Sequence, residues 1–263
     1  MKKMKKSVKI VALLLAVAMC AMLFVSCGKA SDLEKVKKNG KLVMLTNAAF
    51  PPFEYLGADG KAAGVDVDIA TAIAEEIGVE LEVVDMEFNG IIAALVAGKG
   101  DIAAAGMTVT EERLKSIDFS NNYVTSAQYI LVPIDNTDIL SSADLKGKIV
   151  GVQEGTTGDL YASGDWDEDY GVAEVLRFSN CIEAATALMN GKCDLVITDE
   201  MPAKSIVAKN STVLKLVDEP LTAEDYAIGI RKDSDLAEII NKKLDEMMKD
   251  GTIEQILLKH TAE

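Results

Sequence analysis

Three short segments carry the side chains best suited to chemistry. In AAGMTVTEER (residues 104–113) an apolar strand end passes through Gly106 into a helix start capped by Thr110. Free backbone N–H groups at such a start attract an anion, and the Arg113 guanidinium can grip a carboxylate with two parallel hydrogen bonds. The alternative is a surface arginine paired with Glu111 or Glu112. In GVQEGTTG (151–158) a second strand–glycine–helix junction offers the Thr156 and Thr157 hydroxyls to the same anion, or uses them only as helix caps. Asp199 ends the run CDLVITD before a helix near Met201-Pro202, where its carboxylate can accept an ammonium or cap the helix. Taken together, an arginine, a threonine pair and an aspartate at three strand ends complement both charged ends of a free α-amino acid. Phe50, Phe53, Tyr55 and Phe88 lie in loops after strands. Phe50 and Phe88 are placed to sandwich a ligand side chain, and Phe53 to pack beside two prolines.

Other chemistries lack their residues. The phosphate-loop spacing is missing from 151–158. The run Asp165-Trp166-Asp167-Glu168-Asp169 starts like a calcium loop, but Tyr170 stands where glycine is needed and Leu176 where glutamate is needed, so it reads as a solvated loop. Asp66 and Asp68 open a helix and suit its dipole. His260 is the only histidine, which argues against a zinc site or a histidine-based triad. No metal and no cofactor are expected.

The chain of 263 residues carries 27 Lys+Arg against 42 Asp+Glu, a net charge of −15. So acidic a surface, with no basic stripe, repels nucleic acid. With 49% hydrophobic and 26% charged residues the composition is globular, and the length suits one large or two modest domains. Five lysines within the first nine residues precede an apolar run, Ile10 to Val25, then Ser26-Cys27-Gly28. Its 16 residues fall short of the ~18–20 that span a bilayer, so 1–26 reads as a secretion signal. The FVSC end (24–27) resembles a lipoprotein signal in which Cys27 is lipidated, although Phe24 stands where leucine is preferred. Of four cysteines, Cys20 leaves with the signal. The helix and turn expected between Cys181 and Cys193 span about 15 Å, beyond the ~7 Å a disulfide allows, so both read as small buried side chains.

These groups must be positioned by alternating elements. A Ser31-x-x-Glu34 capping box starts a helix ending at Asn39-Gly40, and a strand over 41–46 leads to a loop containing Pro51-Pro52. Asp66 is expected to cap a helix ending at Gly78, followed by a strand at 80–84, a helix at 90–97 and a strand at 101–105. A second unit repeats the alternation. Strands are expected at 148–152, near Val175, at 194–198 and at 213–216, and helices from Thr157, at 182–190 and at 202–209. Strands alternating with helices about every 20 residues define an α/β fold with largely parallel strands. Apolar runs at 127–133 and 227–231 link the units, and two C-terminal helices cover 236–249 and 253–259. The expected division is lobe 1 at 27–132 plus 227–263, and lobe 2 at 133–226.

The segments FPPFEYLG (50–57), GVDVDIATAIAEEIG (64–78), 88–123, GVQEGTTGDLYA (151–162) and ALMNGKCDLVITDEMPA (187–203) closely resemble the polar amino-acid family of solute-binding proteins of bacterial ABC importers. The resemblance implies a two-lobe periplasmic-binding-protein (Venus-flytrap) fold with two hinge strands and a ligand in the interlobe cleft. By it, Arg113 binds the ligand carboxylate, aided by Thr108 and the Thr156/Thr157 loop. Asp199 holds the ammonium with the Gly106 carbonyl, and Phe50 and Phe88 flank the side chain. The implied protein is a non-enzymatic monomer, exported and lipid-anchored to the outer face of the cytoplasmic membrane, with ABC permease subunits as partners. Asn47, where cation-binding relatives often have aspartate, favours a polar neutral side chain, and Gln153 agrees. Glu54, Glu87 or Glu154, pointing inward, would favour a cationic one. Dehydratases of cyclohexadienyl and arogenate substrates share the fold and would need Glu54 or Glu154 as general acid. With the chain ending at Glu263, a receptor with a following signalling segment is not expected.

Overall fold

A computed structural model describes residues 31–261. The lysine cluster, the apolar run and Cys27 lie outside these residues. Ser31 caps the first helix, Asp32–Asn39, by accepting from the Glu34 N–H, and Gly40 ends it in the left-handed region. The first lobe then contains β1 (Lys41–Thr46), β2 (Ala49–Phe50), β3 (Glu54–Leu56), β4 (Ala62–Ala63), β5 (Glu80–Asp85), β6 (Ile102–Ala103), β7 (Ile117–Phe119) and β8 (Val124–Ser126). There follow β9 (Gln128–Pro133), β10 (Ile149–Gln153), β11 (Glu174–Phe178), β12 (Leu195–Asp199), β13 (Leu214–Leu216), β14 (Glu224–Tyr226) and β15 (Gly229–Arg231).

Two five-stranded sheets result, ordered β5-β1-β6-β15-β7 and β11-β10-β12-β9-β13. In each, the strands joined through helices run parallel and the returning strands antiparallel, as α/β connections require. Between the sheets β8 and β14 form an antiparallel ribbon, with Glu224 opposite Ser126 and Tyr226 opposite Val124. The expected boundary at 132/133 moves. β9 pairs with β12 and β13, so Gln128 to Val132 belong to the second sheet and the first crossing lies in the β8 ribbon. The apolar run of β9 is central to that sheet, where both faces are covered; an apolar hinge and an apolar core strand read alike in sequence.

Asp66 does not cap its helix. Helix Val65–Ile77 begins after Gly64, whose φ of 131° suits glycine and whose added Cβ would lie 2.2 Å from the Phe53 carbonyl oxygen. Asp66 is instead 1% exposed and accepts from the Gly106 N–H and the Tyr123 hydroxyl. The 90–97 segment divides into a 3-10 turn, Phe88–Gly90, and a helix, Ile91–Val96. Cys181 and Cys193 are free and buried. Each thiol is pushed up by burial, to about 12 and about 11, which makes them inert packing groups. His260 joins the last helix to the body through the Tyr55 hydroxyl and Asp68. No helix among the described residues is long and apolar enough to cross a membrane, and no group of His, Cys, Asp or Glu among them could hold a metal.

Candidate functional site

Where β1, β6, β10 and β12 end, the two lobes face each other across a cleft. Asn47, Phe50, Phe88, Gly106, Thr108 and Arg113 line it from the first lobe, and Gln153, Thr156, Thr157 and Asp199 from the second, so all ten residues singled out by sequence meet there. Glu54 and Ala105 complete the wall. The lobes stand closed on one another, with ≈ 10 Å³ of free space, about one water-sized sphere. Gln153 Nε2 donates to Asn47 Oδ1 at 3.0 Å across the cleft, and Arg113 Nη2 to the Gly155 carbonyl at 3.1 Å. A ligand must replace these contacts.

Arg113 is the third residue of helix Glu111–Ser116, whose cap Thr110 accepts from its N–H. It is 8% exposed, so it is no surface residue, and Glu112 pairs with Lys115 instead. Its guanidinium also donates to the Thr108 carbonyl at 2.7 Å and lies 5.3 Å over the Phe88 ring, a cation–π contact. Burial lowers its pKa to about 10, opposed by Glu224 and Asp199, and it stays cationic at neutral pH. Among the described residues it has no ion pair, which leaves a buried cation aimed into the cleft.

Asp199 sits at the start of helix Glu200–Lys209 but caps nothing; its Oδ1 accepts from the Tyr226 hydroxyl. Burial, with the nearby Glu224 carboxylate, raises it to about 7. An arriving ammonium relieves both penalties. The Thr156 side chain is a helix cap, accepting from the Asp159 N–H and donating to the Gln153 carbonyl, so the bland alternative holds there. Thr157 and Thr108 donate their hydroxyls to Glu224, not into the cleft. Asn47 Nδ2 is held by the Met86 carbonyl at 2.9 Å.

Phe50 is 6% exposed and stacks on Phe53, which in turn meets Tyr226 edge-on at 5.0 Å. Gly106 passes over this aromatic stack with a φ of 52°, and a Cβ there would lie 2.6 Å from the Phe50 ring. Gly106→Ala is therefore expected to lose about 1–3 kcal/mol and to shift the carbonyl offered to the ligand. Thermal unfolding and a binding titration check both effects.

Sequence reasoning missed Glu224, Tyr226, Gln128 and Asp66 as parts of the site. Glu224 and Tyr226 are legible only as alternate positions of a short strand, and no spacing announces that this strand crosses between lobes. Asp66 reads as a helix-dipole residue until Gly106, 40 positions away, is brought to it. Glu54 is the most informative surprise. It is fully buried, lines the cleft, and has the Asp66 carboxyl beside it, with no cation or N–H donor on either of its oxygens. Glu87 and Glu154 are exposed and do not line it.

Two α/β lobes, joined by a two-strand ribbon and closing on a polar cleft lined by a buried arginine without an ion pair among the described residues and by buried carboxylates, define a binding protein for a small solute. The chain belongs to the bacterial extracellular solute-binding proteins, family 3, whose sequence pattern matches residues 42–263. It is 36% identical over 253 residues to the arginine-binding extracellular protein ArtP of Bacillus subtilis (strain 168), covering 94% of this chain and 96% of that protein. Among solved structures it is similar to the P235GK mutant of ArgBP from T. maritima, with TM-score 0.82 and 39% identity over 88% of this chain and 100% of that one. An ancestral arginine-binding protein bound to arginine matches with TM-score 0.79 and 45% identity, covering 84% and 98%.

Proposed function

We propose that the cleft binds a free α-amino acid with a cationic side chain, arginine first, and presents it outside the membrane to the permease of an ABC importer. Arg113 takes the α-carboxylate. Asp199 and the Gly106 carbonyl take the ammonium. The observation that carries the side-chain assignment is Glu54, a carboxyl buried in the cleft wall that has the Asp66 carboxyl beside it and no cation or N–H donor on either oxygen. Such a group is costly unless a partner arrives, and a guanidinium supplies two parallel donors to it. Burial and the Asp66, Asp199 and Asp85 carboxylates push Glu54 well above the usual carboxylate range. Asn47, read from sequence toward a neutral side chain, spends its Nδ2 on the Met86 carbonyl and leaves the ligand only Oδ1, an acceptor that a cationic side chain can use as well. The arginine-binding names of the relatives agree with this choice.

Glu54→Gln tests it. Arginine affinity should fall about 30-fold or more, the scale for breaking a buried charge pair, while glutamine and citrulline bind as before or better in calorimetric titration. Equal losses for all three would show that Glu54 only shapes the pocket. An enzyme on this fold would use Glu54 as general acid instead; formation of phenylpyruvate from prephenate, or phenylalanine from arogenate, would favour that reading, and none is expected.

Selectivity for bound over empty cleft follows from the division of partners. Arg113 and Glu54 lie on the first lobe and Asp199 on the second, so only closure satisfies both ends of the ligand. After export by the N-terminal signal, a lipid on Cys27 would hold a monomer at the outer face of the cytoplasmic membrane, where multiple acyl chains give durable anchoring.

A further inference from the structure

The β14 strand places a further buried carboxylate where no ligand contact requires one. Glu224 is 3% exposed and lies in the ribbon between the sheets. Its Oε2 accepts from Thr108 Oγ1 of the first lobe at 2.5 Å and from Thr157 Oγ1 of the second at 2.8 Å, with Gln128 Nε2 at 3.4 Å. Its Oε1 accepts from Thr222 Oγ1 at 2.8 Å. We infer that Glu224 is an interlobe latch, whose one carboxylate oxygen binds hydroxyls of both lobes at once and so sets how readily the cleft opens.

Each hydroxyl has a single proton, so both threonines are committed to Glu224. Hydroxyl–carboxylate bonds of this length, out of water, are among the stronger hydrogen bonds. Rotation of one lobe about the ribbon separates Thr108 from Thr157, and a single oxygen cannot follow both. Opening therefore breaks one of the two bonds. Two residues on, and on the same face of the strand, Tyr226 donates to Asp199 of the second lobe, so the ribbon carries two interlobe links side by side. The latch acts through the threonines and makes Glu224 a positioning residue.

The test compares the protein with Glu224→Ala, Thr157→Val and the double variant by small-angle X-ray scattering without ligand, and by the rate of arginine dissociation in stopped flow. The latch predicts a closed-to-open ratio at least tenfold lower in Glu224→Ala, seen as a larger radius of gyration. Thr157→Val should reproduce most of that shift, and the double variant should add little to it. With saturating arginine all four should return to one closed radius, with dissociation about tenfold faster in Glu224→Ala. Glu224→Gln keeps the shape and one acceptor oxygen and should fall between; it also serves if the alanine variant does not fold. An unchanged ligand-free radius in the glutamine and alanine variants, or shifts that simply add, would overturn the latch, as would a lowered melting temperature with no change in radius. The dissociation arm rests on the cleft being an arginine site. If the parent protein binds no arginine, that reading fails while the ligand-free scattering still decides the latch.

Discussion

Arg113→Ala is expected to reduce amino-acid affinity by at least about 100-fold and to leave the fold intact. Removing one partner of a buried charge pair costs about 2–5 kcal/mol, largely because the remaining charge, here the ligand carboxylate, is left dry and unpaired. The fold survives because, among the described residues, Arg113 binds protein through two backbone carbonyls and the Phe88 face, none of which is a structural ion pair. Lysine at this position should recover only part of the loss, since a point charge on a flexible stem cannot reproduce the fork. Calorimetric titration together with a circular dichroism melt separates binding from folding. Affinity within threefold of the parent would place the carboxylate elsewhere.

The second large effect is expected from Asp199→Asn, which keeps the shape and the Tyr226 contact but removes the charge that receives the ammonium. Affinity should again drop about 100-fold. Stability should move the other way. Burial and Glu224 raise the Asp199 carboxyl to about 7 in the folded protein, above the 3.8 ordinary for an aspartate in water. Between those values the folded state holds a proton that the unfolded state has lost, so this group's contribution to stability falls as pH rises from about 4 to 7. The asparagine variant lacks that fall, and the ligand-free variant should gain on the parent as pH is raised through the window. Denaturant titrations at pH 5 and pH 8 measure it; no relative gain would mean that Asp199 is ionised and well solvated in the free protein.

Much of this architecture is written locally. Ser31, Gly40, Gly78 and Thr110 mark helix ends by hydrogen bonds and backbone angles that depend on neighbours alone, and they stand where the sequence implies. The strand ends carrying Thr108, Thr157 and Asp199 are equally legible, because glycine and capping residues follow apolar runs. What sequence does not reveal is long-range. That Asp66 supports Gly106, that Glu224 holds two threonines 116 and 67 positions away, and that β9 joins the second sheet all depend on tertiary pairing. The same limit separates Glu54 from Glu154, two glutamates after similar loops. Only the fold buries the first in the cleft wall and turns the second to water.

The most direct test of the central claim is a thermal-shift series on protein unfolded and refolded to strip any retained solute, with L-arginine, L-lysine, L-histidine, citrulline, L-glutamine and glucose. A cationic amino-acid site predicts that arginine at 100 times its dissociation constant stabilises by about 2.7 kcal/mol, that citrulline and glutamine do much less at the same concentration, and that glucose does nothing. Stabilisation by citrulline or glutamine equal to that by arginine would contradict the role given to Glu54, and no shift with any amino acid would contradict the site itself.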